Sequence, residues 1–89
     1  MQIEHIKPNF TRIIDVAGNQ FWFSYTTLVG FKTSKGNDRP GVLAVRENVW
    51  GPTTGKHLNQ IDGGDRGSRI SDALFLQKYK NLFGYDLVH

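Results

Sequence analysis

The sequence predicts an α+β domain in which a small antiparallel sheet of three to four strands is followed by a short helix and a C-terminal helix. Three observations lead there. A period-two run of aromatic and β-branched residues extends from Phe21 to Phe31. Near the end of the chain, Phe75, Tyr79, Leu82 and Phe83 share one face at helical spacing. Strand-like segments come first and helix-like ones last, without the alternation that a doubly wound parallel sheet requires. Three such strands suffice for an SH3-like half-barrel, with Met1–Ile6 as a fourth strand.

The first strand of the meander is expected over Phe10–Val16, and Gly18-Asn19 supplies a two-residue hairpin turn. The returning strand places Phe21, Phe23, Tyr25, Thr27, Val29 and Phe31 on one face. Trp22, Ser24, Thr26, Leu28 and Gly30 fall on the other. Lys32 to Gly41 is polar and holds glycine and proline, which predicts a loop. A third strand follows over Val42–Trp50. Leu43, Val45 and Val49 point inward in this reading, and Val42, Ala44, Arg46, Asn48 and Trp50 point the other way. Gly51-Pro52 ends that strand. Thr53 or Thr54 is placed to cap a short helix through Ile61, with Leu58 and Ile61 facing in and Gly63 in the left-handed position after it. The loop 63–69 leads to the last helix. Ser71 is its N-cap, Asp72 complements the positive end of its dipole, Ile70 can staple against Phe75, and Gly84 ends it. Together these helices are expected to pack on one face or end of the sheet.

Length and composition restrict the function. Eighty-nine residues allow a single domain, 1–89, and a chain this short needs a core dense in large side chains, which its six Phe, two Trp and three Tyr supply. The absence of cysteine excludes disulfides, thiolate metal sites and cysteine nucleophiles. No apolar run approaches the roughly 20 residues of a membrane helix, and the N-terminus lacks the layout of a signal peptide. A cytoplasmic protein without a membrane partner is the expectation. Eleven Lys and Arg oppose eight Asp and Glu, a formal charge of +3 that permits nucleic-acid or acidic-protein partners without demanding them. A domain of this size can also hide an apolar face by pairing with a second copy, so a homo-oligomer stays open.

Four segments bear on chemistry. Gly51-Pro52-Thr53-Thr54-Gly55-Lys56-His57 lies between strand and helix as a P-loop would, but it has three residues between its glycines where a P-loop has four, and His57 where a P-loop has Ser or Thr. What survives is a helix start with Lys56 beside it, able to meet a phosphate oxygen. His57 could act as acid or base in a small hydrolase, but no second His or carboxylate stands at telling spacing; a structural histidine explains it as well. Neither a catalytic set nor a metal set emerges: His5, His57 and His89 are far apart in sequence and no His pair has ligand spacing. No cofactor is implied. Arg66 and Arg69 in the glycine-rich loop could cradle a phosphate, or the loop is a solvated connection between helices. Finally, Trp22, Ser24, Thr26, Arg46, Asn48 and Trp50 could share one sheet face as a platform for bases or for a protein, or the helices cover that face and the tryptophans are core.

The stretches 23–31 and 48–59, with the aromatic-Ser-Tyr-x-Thr pattern of Phe23-Ser24-Tyr25-Thr26-Thr27 and the Thr-x-Lys-His-x-Asn pattern of Thr54-Gly55-Lys56-His57-Leu58-Asn59, resemble a family of small uncharacterised proteins typically encoded by bacteriophages and other mobile elements. The resemblance covers the central half of the chain. It implies a phage or plasmid origin, a host bacterial cytoplasm and action by binding, and it transfers no catalytic residue. The expected function is therefore a non-enzymatic binding module, first for nucleic acid and alternatively as an inhibitor or accessory factor on a host protein. The candidate contact residues are Trp22, Arg46, Trp50, Lys56, His57, Arg66 and Arg69.

Overall fold

A computed structural model describes residues 1–34, 41–48 and 50–84. Five strands, β1 (Gln2–Lys7), β2 (Phe10–Ile14), β3 (Gln20–Ser24), β4 (Thr27–Lys32) and β5 (Leu43–Val45), form one antiparallel sheet in the order of the chain. Helices α1 (Pro52–Asp62) and α2 (Asp72–Phe83) follow, separated by a short 3₁₀ turn at Arg66–Ser68. The α+β class and the order of elements agree with the expectation, and the segment Met1–Ile6 does supply a strand. The sheet has more strands than the three to four expected.

The additional strand comes from the Phe21–Phe31 run. It is a hairpin, broken at Tyr25-Thr26, and Ser24 pairs with Thr27 across the turn. Tyr25 adopts φ 57°, a left-handed conformation unusual for a non-glycine residue, and its N–H donates to the Asn9 carbonyl at 2.7 Å. Asn9, in the β1–β2 turn, is also left-handed. The turn between β2 and β3 is longer than the two residues expected. The Asp15 carboxylate accepts from the backbone N–H groups of Ala17 and Asn19 and from the Asn19 side chain, and Gly18 takes a positive φ. Burial by itself would raise the Asp15 pKa; these hydrogen bonds outweigh it and hold the carboxyl below its ordinary value.

The helices lie on opposite faces of the sheet, not on one. Phe10, Trp22, Val29 and Val45 meet Leu58 and Ile61 of α1. Leu28, Phe31 and Ala44 meet Phe75 and Tyr79 of α2, with Phe21, Phe23, Ile70, Leu76 and Phe83 packed around them. A sheet covered on both sides needs apolar residues at successive positions, which is why Ala44 and Val45 are both buried. The expected strand Val42–Trp50 accordingly shrinks to β5. Past Val45, Arg46 still donates its N–H to the Val29 carbonyl of β4 and pairs in parallel with Ile70. Val49 and residues 35–40 of the expected Lys32–Gly41 loop lie outside the described residues, whereas Lys32 belongs to β4.

Pro52 begins α1, where its missing N–H costs nothing, and Gly51 is the N-cap. Neither Thr53 nor Thr54 caps the helix. Asn48 organises the approach instead: its side-chain oxygen accepts from the N–H groups of Trp50 and Gly51, and its amide donates to the Gly51 carbonyl. A Cβ on Gly55 would stand 2.9 Å from the Asn48 amide nitrogen, so a side chain at residue 55 would force the Asn48 side chain to shift. Gly63 closes α1 in the left-handed conformation. For α2, the Ser71 hydroxyl accepts from the Leu74 N–H and Gly84 ends the helix, as expected. Leu82, expected in the core, is 42% exposed, and Leu43, expected to point inward, is 45% exposed.

Candidate binding cleft at the start of α1

The turn ending β3 and the entry into α1 enclose a cleft of about 390 Å³ lined by Ser24, Tyr25, Thr27, Val29, Trp50, Gly51, Pro52, Thr53 and Thr54. Five of these carry hydroxyls, two are aromatic and none is ionised at neutral pH. Tyr25 and Trp50 are 55% and 41% exposed, unusual for such large side chains, so each ring has a free surface.

Beneath the cleft runs a buried polar network. The Ser24 hydroxyl lies 2.7 Å from His57 Nδ1 and 3.0 Å from the Thr54 hydroxyl. The His57 ring stacks on Phe10, with centroids 4.7 Å apart and planes within 7°, and Tyr25 lies 6.3 Å from it on the cleft side. Burial, and then the positive charge of Lys7, lower the His57 pKa from its ordinary value. His57 is therefore neutral at pH 7, which fits a buried ring that shares a hydrogen bond with a hydroxyl and feels a nearby positive charge. The network pins α1 to the end of β3. In chemical terms it contains a hydroxyl beside a neutral imidazole. Among the described residues, no group of three His, Asp or Glu side chains is placed to hold a metal.

The structure separates the residues singled out from the sequence. Trp22 is 8% exposed and lies in the core beneath α1, so the shared face of Trp22 and Trp50 does not form. Arg46 is buried. Its guanidinium donates to the Leu28 carbonyl and to Asp72, and it lies between the rings of Trp50 (5.2 Å) and Phe75 (5.1 Å). Arg69 is committed as well, donating through two nitrogens to Asp62 and through one of these to Asn59. Trp50, Lys56 and Arg66 are exposed. Arg66 borders a second hollow, of about 360 Å³, with Glu47, Asn48, Gly55, Asn59 and Arg69.

Sequence reasoning placed Ser24 on the expected face with Trp22 and Trp50, but passed over Tyr25, Thr53 and Thr54 as cleft residues and Lys7 as a neighbouring cation. The available signal was the resemblance itself, whose two motifs, Ser24-Tyr25 and Thr54 to His57, are the segments that meet here. A family model described as a family of unknown function (DUF8033) matches residues 1–77, a span that includes the whole cleft. No curated protein and no solved structure matches the chain.

Proposed function

The chain belongs to the DUF8033 family, and from that premise we propose that it is a non-enzymatic module that binds nucleic acid at the corner where β5 passes into α1. One observation carries the reading: Tyr25 and Trp50 present exposed rings on the walls of a single cleft. Exposed cations stand on adjoining elements, Lys7 at the end of β1 and Lys56 in the first half of α1. Aromatic surfaces beside cations are the two features that non-specific strand binding combines. The ion pairs Arg12–Glu4, Arg46–Asp72 and Arg69–Asp62 join cations and carboxylates one for one, so they leave the net charge of +3 undiminished. The resemblance to proteins of phages and mobile elements supports a bacterial cytoplasm as the setting.

Anisotropy of a labelled oligonucleotide at low salt tests this. Binding should weaken steeply as salt is raised, because each phosphate contact releases counterions. Trp50→Ala combined with Lys56→Ala should weaken it by about tenfold or more, equivalent to roughly 1.4 kcal/mol, with the far-UV circular dichroism retained. No affinity for any oligonucleotide at low salt would reject the reading.

A second reading, a small hydrolase, has the Ser24–His57 hydrogen bond of 2.7 Å in its favour. It ranks below the first because Ser24 is only 3% exposed and its hydroxyl is already engaged by Thr54. Ester hydrolysis lost on Ser24→Ala would establish it; a fluorophosphonate probe that leaves the folded protein unlabelled would dismiss it.

A further inference from the structure

We propose that the cleft between Tyr25 and Trp50 holds one unpaired nucleobase, so that the protein selects single-stranded over double-stranded nucleic acid. This rests on the nucleic-acid reading above and adds to it what enters the cleft and what stays outside.

The lining makes the first argument. Five hydroxyl side chains and no charged one line the cleft, and three of them, Tyr25, Thr27 and Thr53, stand outside the buried Ser24–Thr54–His57 network. An anion entering such a site gives up its hydration without meeting a cation, which is costly. A nucleobase is neutral and planar, with a rim of donors and acceptors that hydroxyls can match in either sense, since each hydroxyl both donates and accepts. The phosphates stay outside, near Lys7 and Lys56. Size makes the second argument. At about 390 Å³ the cleft is near the lower end of ligand pockets, which run from roughly 300 to 1,000 Å³. That is ample room for one base.

Backbone geometry makes the third. Tyr25 stays left-handed at φ 57°, tied to Asn9 by a 2.7 Å hydrogen bond. Such strain persists where the surroundings over-determine it, and here it turns a large aromatic ring out beside the cleft at 55% exposure. A free ring surface next to a neutral, hydroxyl-lined cleft suits base stacking. A paired base presents neither a free face nor a free edge. To enter it must first leave its stack, at a cost of a few kcal/mol that an unpaired strand does not bear.

The experiment uses the full chain and three labelled probes: a short thymidine oligonucleotide, the same phosphate backbone with abasic sites, and a hairpin duplex of matched length. The single strand should bind about tenfold or more tighter than either of the others. Tyr25→Ala should remove that advantage, and Tyr25→Phe, which keeps the ring, should retain it. Equal binding of the three probes by the unmodified protein overturns the base-cleft proposal and leaves nucleic-acid binding standing. Binding of none overturns both. Because the probe comparison needs no variant, it decides the matter even if Tyr25→Ala fails to fold.

Discussion

A single histidine ties the start of α1 to the sheet, and its ionisation sets a pH dependence of stability. The pKa of His57 is lowered in the native protein by burial and by Lys7. The unfolded chain therefore binds this proton at higher pH than the folded one. From about pH 6.5 downwards, until the native pKa is passed, the unfolded state carries the extra proton, so this contribution to stability falls as pH falls and is complete above that window. Thermal melts of the native protein and of His57→Gln between about pH 7.5 and 5.5 should show a shallower dependence in the variant. The same slope in both would assign the effect to another group. At this scale sequence and structure agree only in part. A structural histidine near a helix start was legible in Lys56-His57, but its partner was not, because Ser24 is thirty-three positions away in the chain and nothing local to either residue announces the other. Trp22 and Trp50 differ for the same reason: what covers each is decided by elements remote in sequence.

Among the elements, the short connection between the helices depends most on one pair. Arg69 and Asp62 have side chains 5% and 2% exposed and joined at 2.7 Å, so the end of α1 is tied to the segment that leads into α2. Removing one member of a buried pair strands the other. Arg69→Ala should therefore destabilise the protein by about 3–5 kcal/mol, measured by urea denaturation, whereas Lys56→Ala, at an exposed site, should stay within about 0.5 kcal/mol. A small effect of Arg69→Ala would show that water reaches Asp62 once the guanidinium is gone. The helices were readable from local signals, since Ser71, Gly63 and Gly84 act at the positions where they stand. The β3–β4 hairpin was not, for a specific reason. The turn at Tyr25-Thr26 exchanges the faces of odd and even residues, and the register shift in the β3–β4 pairing exchanges them back. Phe21 and Phe31, cross-strand partners on one face, consequently keep the parity of an unbroken strand. No glycine or proline marks the turn.

Across the whole molecule, the sheet separates two apolar clusters, each closed by one helix. The sequence does show surplus apolar residues on both sides of its strands, and one helix cannot cover both faces. The choice between covering one face twice and covering each once rests on the path from β5 into α1, which Asn48, Gly51 and Pro52 fix together. The strand order has a consequence in time. Every strand pairs with the one that follows it in the chain, so the sheet assembles from successive short loop closures, and low contact order of this kind goes with fast folding. The Arg46–Ile70 bridge, which spans the whole of α1, and the docking of the helices are then the late events. Stopped-flow refolding should be single-exponential and complete within milliseconds to tens of milliseconds at 25 °C, in the range of mixed α/β domains. A folding limb that flattens at low denaturant would instead reveal a populated state with one helix docked and the opposite face of the sheet still open.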